Sequence, residues 1–163
     1  MKTRNSLPPW IWTRADGLIA CGFGTGAAAV APGTFGTLIG LPIYWLMQNL
    51  SIGYYALITA LLFVFGVWVC GRVATALQVH DHPGIVWDEV VGYLVTMTFA
   101  PSGWMWWVAG FVLFRIFDIF KPWPIKFFDS RIPGGFGIMI DDVLAGIYAA
   151  ICMQLMVYSY QHF

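Results

Sequence analysis

The chain has 163 residues, of which 60% are hydrophobic and only 10% are charged. So few charged groups could hardly cover the surface of a water-soluble protein of this size, and this excludes an ordinary soluble domain. The formal net charge is zero, which argues against nucleic acid as a partner because proteins that bind phosphate backbones carry a basic surplus. The composition predicts a single membrane-embedded domain over residues 1–163.

Long stretches of the chain carry no charge. Residues 17–71 contain no Asp, Glu, Lys, Arg or His, which leaves room for two helical spans of ~20 residues each. Further charge-free runs cover residues 90–114 and 143–161. The predicted fold is therefore all-α, a polytopic integral membrane helical bundle with about four to five transmembrane helices. The helices are expected near residues 35–50, 53–78, 85–100, 104–121 and 139–159.

The basic residues give this bundle a predicted orientation, because Lys and Arg mark the cytoplasmic side of a membrane protein. The connections at 48–55 and 100–104 carry no charge, whereas the other connections and the N-terminus, with Lys2 and Arg4, carry the basic residues. Five spans with the N-terminus inside would place the basic residues and the acids at the cytoplasmic face. The glycine-rich residues 17–33 are too interrupted for a confident span and are expected to be re-entrant or interfacial.

Two segments of the sequence resemble each other. Each has two adjacent acids in a predicted first helical turn, followed by small residues about one turn later. Small residues let membrane helices approach closely, so the two acid pairs are expected to face each other. The alternative is that acids in a first turn are favoured by the helix macrodipole alone. The acids are Asp88 and Glu89, followed by Gly92, and Asp141 and Asp142, followed by Ala145 and Gly146.

A fifth acid, Asp118, belongs to the predicted site. It lies near the C-terminal end of a predicted helix, where the dipole disfavours an anion, so a cation is expected beside it. Arg115 and Lys121 lie three residues on either side and offer simple ion pairs as the alternative. A set of carboxylates without a His or Cys cluster favours Mg2+ or Mn2+ over zinc.

Two other short segments have weaker signals. The histidines of His80-Asp81-His82 could bind metal or relay protons, although a hydrated turn is the simpler interpretation. Thr34, after Pro32-Gly33, can cap a helix whose N–H groups point toward the charged face, and this capping is the simpler role.

Four segments, in order, resemble the bacterial phosphatidylglycerophosphatase A family. They are APGTFGTLIG (31–40), HDHPGIVWDE (80–89), FRIFDIFKPWPI (114–125) and GGFGIMIDDVLAG (134–146). The resemblance covers roughly residues 15–150 and is specific in its ordering. It implies Mg2+-dependent hydrolysis of the terminal phosphomonoester of phosphatidylglycerophosphate, a lipid in the bilayer. It also implies a site at the cytoplasmic face of the bacterial inner membrane.

The resemblance and the residues together give the expected roles. Mg2+ ligands are expected at Asp88, Glu89, Asp118, Asp141 and Asp142, catalytic roles at Asp118, Lys121 and Asp142, and phosphate contacts at Arg115, Lys121, Lys126 and Thr34. Attack by water is preferred, with an aspartyl-phosphate on Asp118 or Asp142 left open. The alternative function is a divalent-cation transporter, and a structural assembly factor ranks last because it leaves the acids unexplained. The oligomeric state is not specified.

Overall fold

The computed structural model describes residues 7–162, except for the side chains of residues 128–130, so Lys2 and Arg4 lie outside the described residues. Within this part the regular structure is entirely helical, as predicted. The α-helices are α1 (Ala15–Ala20), α2 (Pro32–Met47), α3 (Ile52–Leu77), α4 (Trp87–Thr96), α5 (Trp104–Phe120), α6 (Ile125–Arg131) and α7 (Gly134–His162), with 3-10 turns at Pro9–Thr13 and Gly22–Ala27.

A helix is present at each of the five predicted positions, and the boundaries differ most at two places. α4 ends at Thr96 instead of near residue 100. Phe99 has a left-handed backbone with φ of 62°, and Ala100 precedes Pro101, which disfavours a helical conformation at that position. α7 begins at Gly134 instead of near residue 139, so it extends further toward the predicted cytoplasmic side.

Residues 17–33 contain no helix long enough to cross a membrane. They comprise most of α1, a 3-10 turn and an irregular stretch that leads into α2. The backbone N–H of Val86 donates a hydrogen bond to the carbonyl oxygen of Ala20 at 2.8 Å. A Cβ atom at Gly26 would collide with the backbone of Gly84. This segment therefore packs against the chain that leads into α4.

Two helices are long and apolar enough to cross a membrane, α3 with 26 residues and α7 with 29. The most apolar 18-residue stretches of these two helices have mean hydropathies of 2.1 and 1.7. At 1.5 Å per residue, α2 and α5 are ~25 Å long and α4 is ~15 Å, against ~30 Å for a hydrocarbon core. The two long helices make membrane association plausible, and the number of four to five spans stays a prediction.

The outer face of α3 supports contact with lipid. Leu57, Leu61, Val64 and Trp68 follow one face of the helix at intervals of four, three and four residues, and each is more than half exposed. A continuous apolar row of this kind is unusual on a soluble protein and typical of a surface that binds lipid or a partner.

α4 is the central helix, because eight of its ten residues are buried. Two apolar clusters surround it: one joins α4 to α3, α7 and the N-terminal segment, and the other joins it to α2, α5 and α7. α4 also lies very close to α7. A Cβ atom at Gly146 would collide with the carbonyl oxygen of Gly92, and one at Gly92 would collide with the ring of Phe114. The predicted close approach at these small residues is confirmed.

Candidate functional site

Three carboxylates converge where α4 meets α7. One oxygen from each of Asp88, Glu89 and Asp142 lies within 4.8 Å of the others. Asp88 and Asp142 are 7% and 3% exposed. Each of the three side chains has a buried oxygen without a hydrogen-bond partner. We refer to Asp88, Glu89 and Asp142 as the carboxylate triad.

The carboxylate triad fits a divalent cation that prefers oxygen ligands. Buried carboxylate oxygens that lack hydrogen bonds are costly, and a bound cation would compensate them. Three carboxylates, without a His or Cys among them, are a donor set that suits Mg2+ or Mn2+ better than zinc.

The helix positions of the acids separate the two explanations that the sequence left open. Asp88 and Glu89 lie in the first turn of α4, where the macrodipole alone would favour them. Asp142 lies about two turns inside α7, because that helix begins at Gly134. The expectation that the second acid pair occupies a first turn is therefore wrong. The macrodipole does not account for a buried acid at this depth, since it acts within the first turn.

The C-terminal part of α5 brings basic groups to the triad. Arg115 Nη1 lies 2.5 Å from Asp118 Oδ2 and 3.8 Å from Glu89 Oε1, and these three side chains are only 12–14% exposed. The structure thus brings Arg115 and Asp118 to the edge of the triad, with the predicted ion pair between them.

Lys121 and Asp141 form a second pair beside the triad. Lys121 Nζ donates to Asp141 Oδ2 at 2.5 Å. Lys121 follows the last residue of α5 and has a left-handed backbone with φ of 41°, a conformation that non-glycine residues rarely adopt outside constrained sites. Asp141 is thus engaged by a lysine and lies outside the triad, and its role as a metal ligand, like that of Asp118, stays a prediction.

The N-terminus of α2 lies against the site. A Cβ atom at Gly33 would collide with the carboxylate of Glu89 and the guanidinium of Arg115. Sequence reasoning did not single out Gly33, although the Pro-Gly pair at a helix start was a usable signal. The expected capping by Thr34 is wrong: the helix begins at Pro32, whose missing N–H suits the first helical position, so Ala31 occupies the cap position. Thr34 lies in the first turn of α2, half-buried.

For the remaining predicted residues, the structure describes no contact with the triad. Lys126 is exposed on α6, and no ion pair described in the structure joins it to the acids. His80 Nε2 contacts the carbonyl oxygen of Ile132 at 3.1 Å, and His82 Nδ1 accepts a hydrogen bond from the N–H of Gly84 at 3.0 Å. Burial lowers the pKa of His82. These contacts agree with a structural turn at residues 80–82.

Known proteins resemble this chain over most of its length. The model of the phosphatidylglycerophosphatase A family matches residues 18–157. A phosphatidylglycerophosphatase A of Escherichia coli (strain K12) is 46% identical over 134 residues, which is 82% of this chain and 78% of that protein. A phosphatidylglycerophosphatase A of Haemophilus influenzae is 48% identical over 136 residues, 82% of this chain and 83% of that protein.

A third relative has a different name. A putative phosphatidylinositol-3-phosphatase of Bacteroides thetaiotaomicron is 37% identical over 146 residues, covering 85% of this chain and 91% of that protein. No solved structure shows a significant match. The family match and the two more similar relatives lead to one conclusion: the chain belongs to the phosphatidylglycerophosphatase A family.

Proposed function

We propose that this protein hydrolyses the terminal phosphomonoester of phosphatidylglycerophosphate and releases phosphatidylglycerol and inorganic phosphate. The observation that carries the proposal is the carboxylate triad, whose buried oxygens lack hydrogen bonds while a guanidinium lies beside them. Anionic ligands for a cation, next to a cationic side chain, suit a phosphate that binds both. The relatives from E. coli and H. influenzae are named for this reaction.

The triad is the part of the site that would hold Mg2+, with Asp118 and Asp141 as further expected ligands. Mg2+ bound there would neutralise charge on the phosphate and make a water molecule a better nucleophile. The side chains of Arg115 and Lys121 would bind the phosphate. Arg115 presents a planar fork that can donate to two phosphate oxygens, and Lys121 presents a single point charge.

The N–H groups in the first turn of α2 add to this phosphate site. Thr34 lies in that turn, and the backbone at Gly33 closely approaches Glu89 and Arg115. A helix N-terminus favours a bound anion through its free N–H groups and its dipole. Lys126 adds longer-range attraction for the phosphates from the exposed face of α6.

In the proposed reaction, the water oxygen bonds to phosphorus as the bond between phosphorus and the glycerol oxygen breaks. The water loses one proton and the departing glycerol oxygen gains one. Asp142, a member of the triad, and Asp118, which pairs with Arg115 at its edge, are the proposed proton acceptors. Lys121 is the proposed donor to the departing oxygen. A phosphoenzyme trapped on Asp118 or Asp142 would contradict direct attack by water.

We place this site at the cytoplasmic face of the bacterial inner membrane, in a single domain with four to five spans. Support comes from the apolar α3 and α7 and from the basic residues Arg115 and Lys121 at the same end of the bundle as the acids. The alternative of a divalent-cation transporter gains no support from the relatives, which are named as phosphatases. The acids also gather at one end of α4 and do not form a path across the bundle.

The direct test is phosphate release by the purified protein in detergent. We expect release from phosphatidylglycerophosphate with Mg2+, none with a chelator, and a large loss in Asp142→Asn. Phosphatidylinositol 3-phosphate serves as the comparison substrate because of the name of the B. thetaiotaomicron relative. Folded wild-type protein that releases no phosphate from phosphatidylglycerophosphate with Mg2+ would overturn the proposal.

A further inference from the structure

An apolar groove lies between α3, α4 and α7, and two of its lining residues are close neighbours of the carboxylate triad in sequence. Its volume is about 420 Å³, and residues of α3, α4 and α7 line it, among them Ala60, Val91 and Val143. Val91 follows Asp88 by three residues and so shares its face of α4. Val143 directly follows Asp142. The groove therefore opens about one helical turn from two of the three carboxylates.

The groove continues along α4, away from the acids. A second cavity of about 550 Å³ shares Val95 and Thr98 with the first and extends along α7 as far as Tyr158. α4 is ~15 Å long, which is about half of a ~30 Å hydrocarbon core, or the depth of one leaflet. From Val91 to Thr98 the first cavity follows the chain for ~10 Å, which is most of the depth of one leaflet below a head group at the start of α4.

Small residues on α3 create the recess. Ala56 and Ala60 are exposed, lie four residues apart on the same helix face, and line the groove. The adjacent face of α3 carries the bulkier Leu57 and Leu61, which are 55% and 59% exposed. The surface between α3 and α7 therefore forms a recess, and the side chains that line it are mostly apolar.

We propose that this groove holds one acyl chain of the lipid whose phosphomonoester head group lies at the carboxylate triad. The inference rests on the proposed function and adds a chain-binding site to it. A lipid held by its phosphate at the start of α4 must direct its chains into the apolar layer. The groove runs along α4 from Val91, less than one helical turn beyond Asp88, and so offers the chain an apolar recess close to the acids. Binding there removes chain methylenes from exchange with bulk lipid and fixes the phosphate relative to the triad.

The kinetic test fills the groove from α3. Ala60→Trp places a bulky ring in the recess, while Leu61→Trp puts the same ring on the neighbouring lipid-facing surface and is the matched control. The two substrates are phosphatidylglycerophosphate with long chains and the same head group without acyl chains. In Ala60→Trp we expect KM for the lipid to rise about tenfold, equivalent to ~1.4 kcal/mol, with KM for the chain-free substrate unchanged.

Two kinetic outcomes would overturn the chain-binding site. One is an equal change of KM for both substrates in Ala60→Trp, which would indicate damage to the phosphate site. The other is the same effect in Ala60→Trp and Leu61→Trp. Wild-type protein that hydrolyses neither substrate would instead contradict the proposed function itself.

A second measurement does not depend on turnover. Phosphatidic acid with a photoreactive group in the middle of one chain is crosslinked to the wild-type protein, and labelled peptides are mapped by mass spectrometry. Phosphatidylcholine with the same chain is the control for bulk lipid. We expect phosphatidic acid to label the groove residues of α3, α4 and α7 several-fold more than phosphatidylcholine does, and Ala60→Trp to remove this excess. Equal labelling by the two lipids would overturn the inference even where phosphate release is observed.

Discussion

Replacement of Asp142 by Asn should make the protein more stable without metal and inactive with it. Asn keeps the shape of the side chain and removes its charge. In the absence of a cation, the three carboxylates of the triad repel one another across a buried contact. The proposed Mg2+ site needs the same charges, so the variant should gain stability and lose activity at the same time.

The magnitude follows from the spacing of the triad. Its ligand oxygens lie within 4.8 Å of one another, and two charges at that distance repel by roughly 3 kcal/mol at an effective dielectric constant of ~20. Asp142 takes part in two such pairs, and the positive charge of Arg115 relieves part of the repulsion. A net gain of ~1–2 kcal/mol would raise the melting temperature by roughly 2–8 °C for a protein of this size.

The assay is thermal unfolding in detergent, with a chelator and over a series of Mg2+ concentrations. Wild-type protein should gain ~2.7 kcal/mol at a Mg2+ concentration one hundred times its Kd, and Asp142→Asn should gain little. Asp141→Asn is the control, because it removes the ionic partner of Lys121 and should not stabilise the metal-free protein. The reasoning fails if Asp142→Asn melts no higher than wild type in chelator, or if Mg2+ stabilises both proteins equally.

Three further predictions concern the phosphate site, the packing of α4 and the N-terminal segment. Arg115→Ala should lower kcat/KM by ~100-fold or more in steady-state kinetics, since it removes a charged phosphate contact and the partner of Asp118. Arg115→Lys should retain part of the kcat/KM that Arg115→Ala loses, because it keeps the positive charge. Gly92→Val should lower stability by ~1–3 kcal/mol in thermal unfolding, because a side chain there collides with α5 and α7. The hydrogen bond from Arg14 lowers the pKa of Asp16 in the folded protein. This contact therefore stabilises the fold fully above the unfolded pKa of ~3.9, and the stabilisation is lost as the pH falls through the lower pKa of the folded protein. Asp16→Asn should lower the melting temperature near neutral pH, where the contact is fully formed, and should remove that part of the acid dependence of the melting temperature.

The helices could be predicted because apolar runs long enough to span a membrane have few alternatives. The end of α4 was harder to predict, since residues 97–100 are as compatible with a helix as those before them. The turn at Phe99 depends on packing, for the side chain of Gln154 on α7 donates a hydrogen bond to its carbonyl oxygen at 3.1 Å. Only the Ala100-Pro101 pair indicated an end at this point.

The convergence of the acids could be predicted from Gly92 and Gly146, whose size allows α4 and α7 to meet. The different surroundings of Asp141 and Asp142 could not be predicted from their shared motif. Adjacent residues on a helix point ~100° apart, so the two carboxylates cannot both face α4. Asp142 lies in the triad, whereas Asp141 meets Lys121 beyond the end of α5. The direction of that lysine depends on a left-handed turn that no local pattern signalled.

The burial of α4 explains how the protein tolerates three acids that repel one another. The apolar clusters on both sides of this helix fix the position of Asp88 and Glu89, while the glycine contact fixes Asp142 against them. Electrostatic interactions are stronger in such a water-poor site than at a surface, so a bound cation and phosphate would be attracted more strongly than by exposed acids and bases. The same burial makes the metal-free triad unfavourable. A sequence selected for stability alone would replace at least one of these acids. The predicted gain in unfolding free energy of metal-free Asp142→Asn measures how much the triad destabilises the fold.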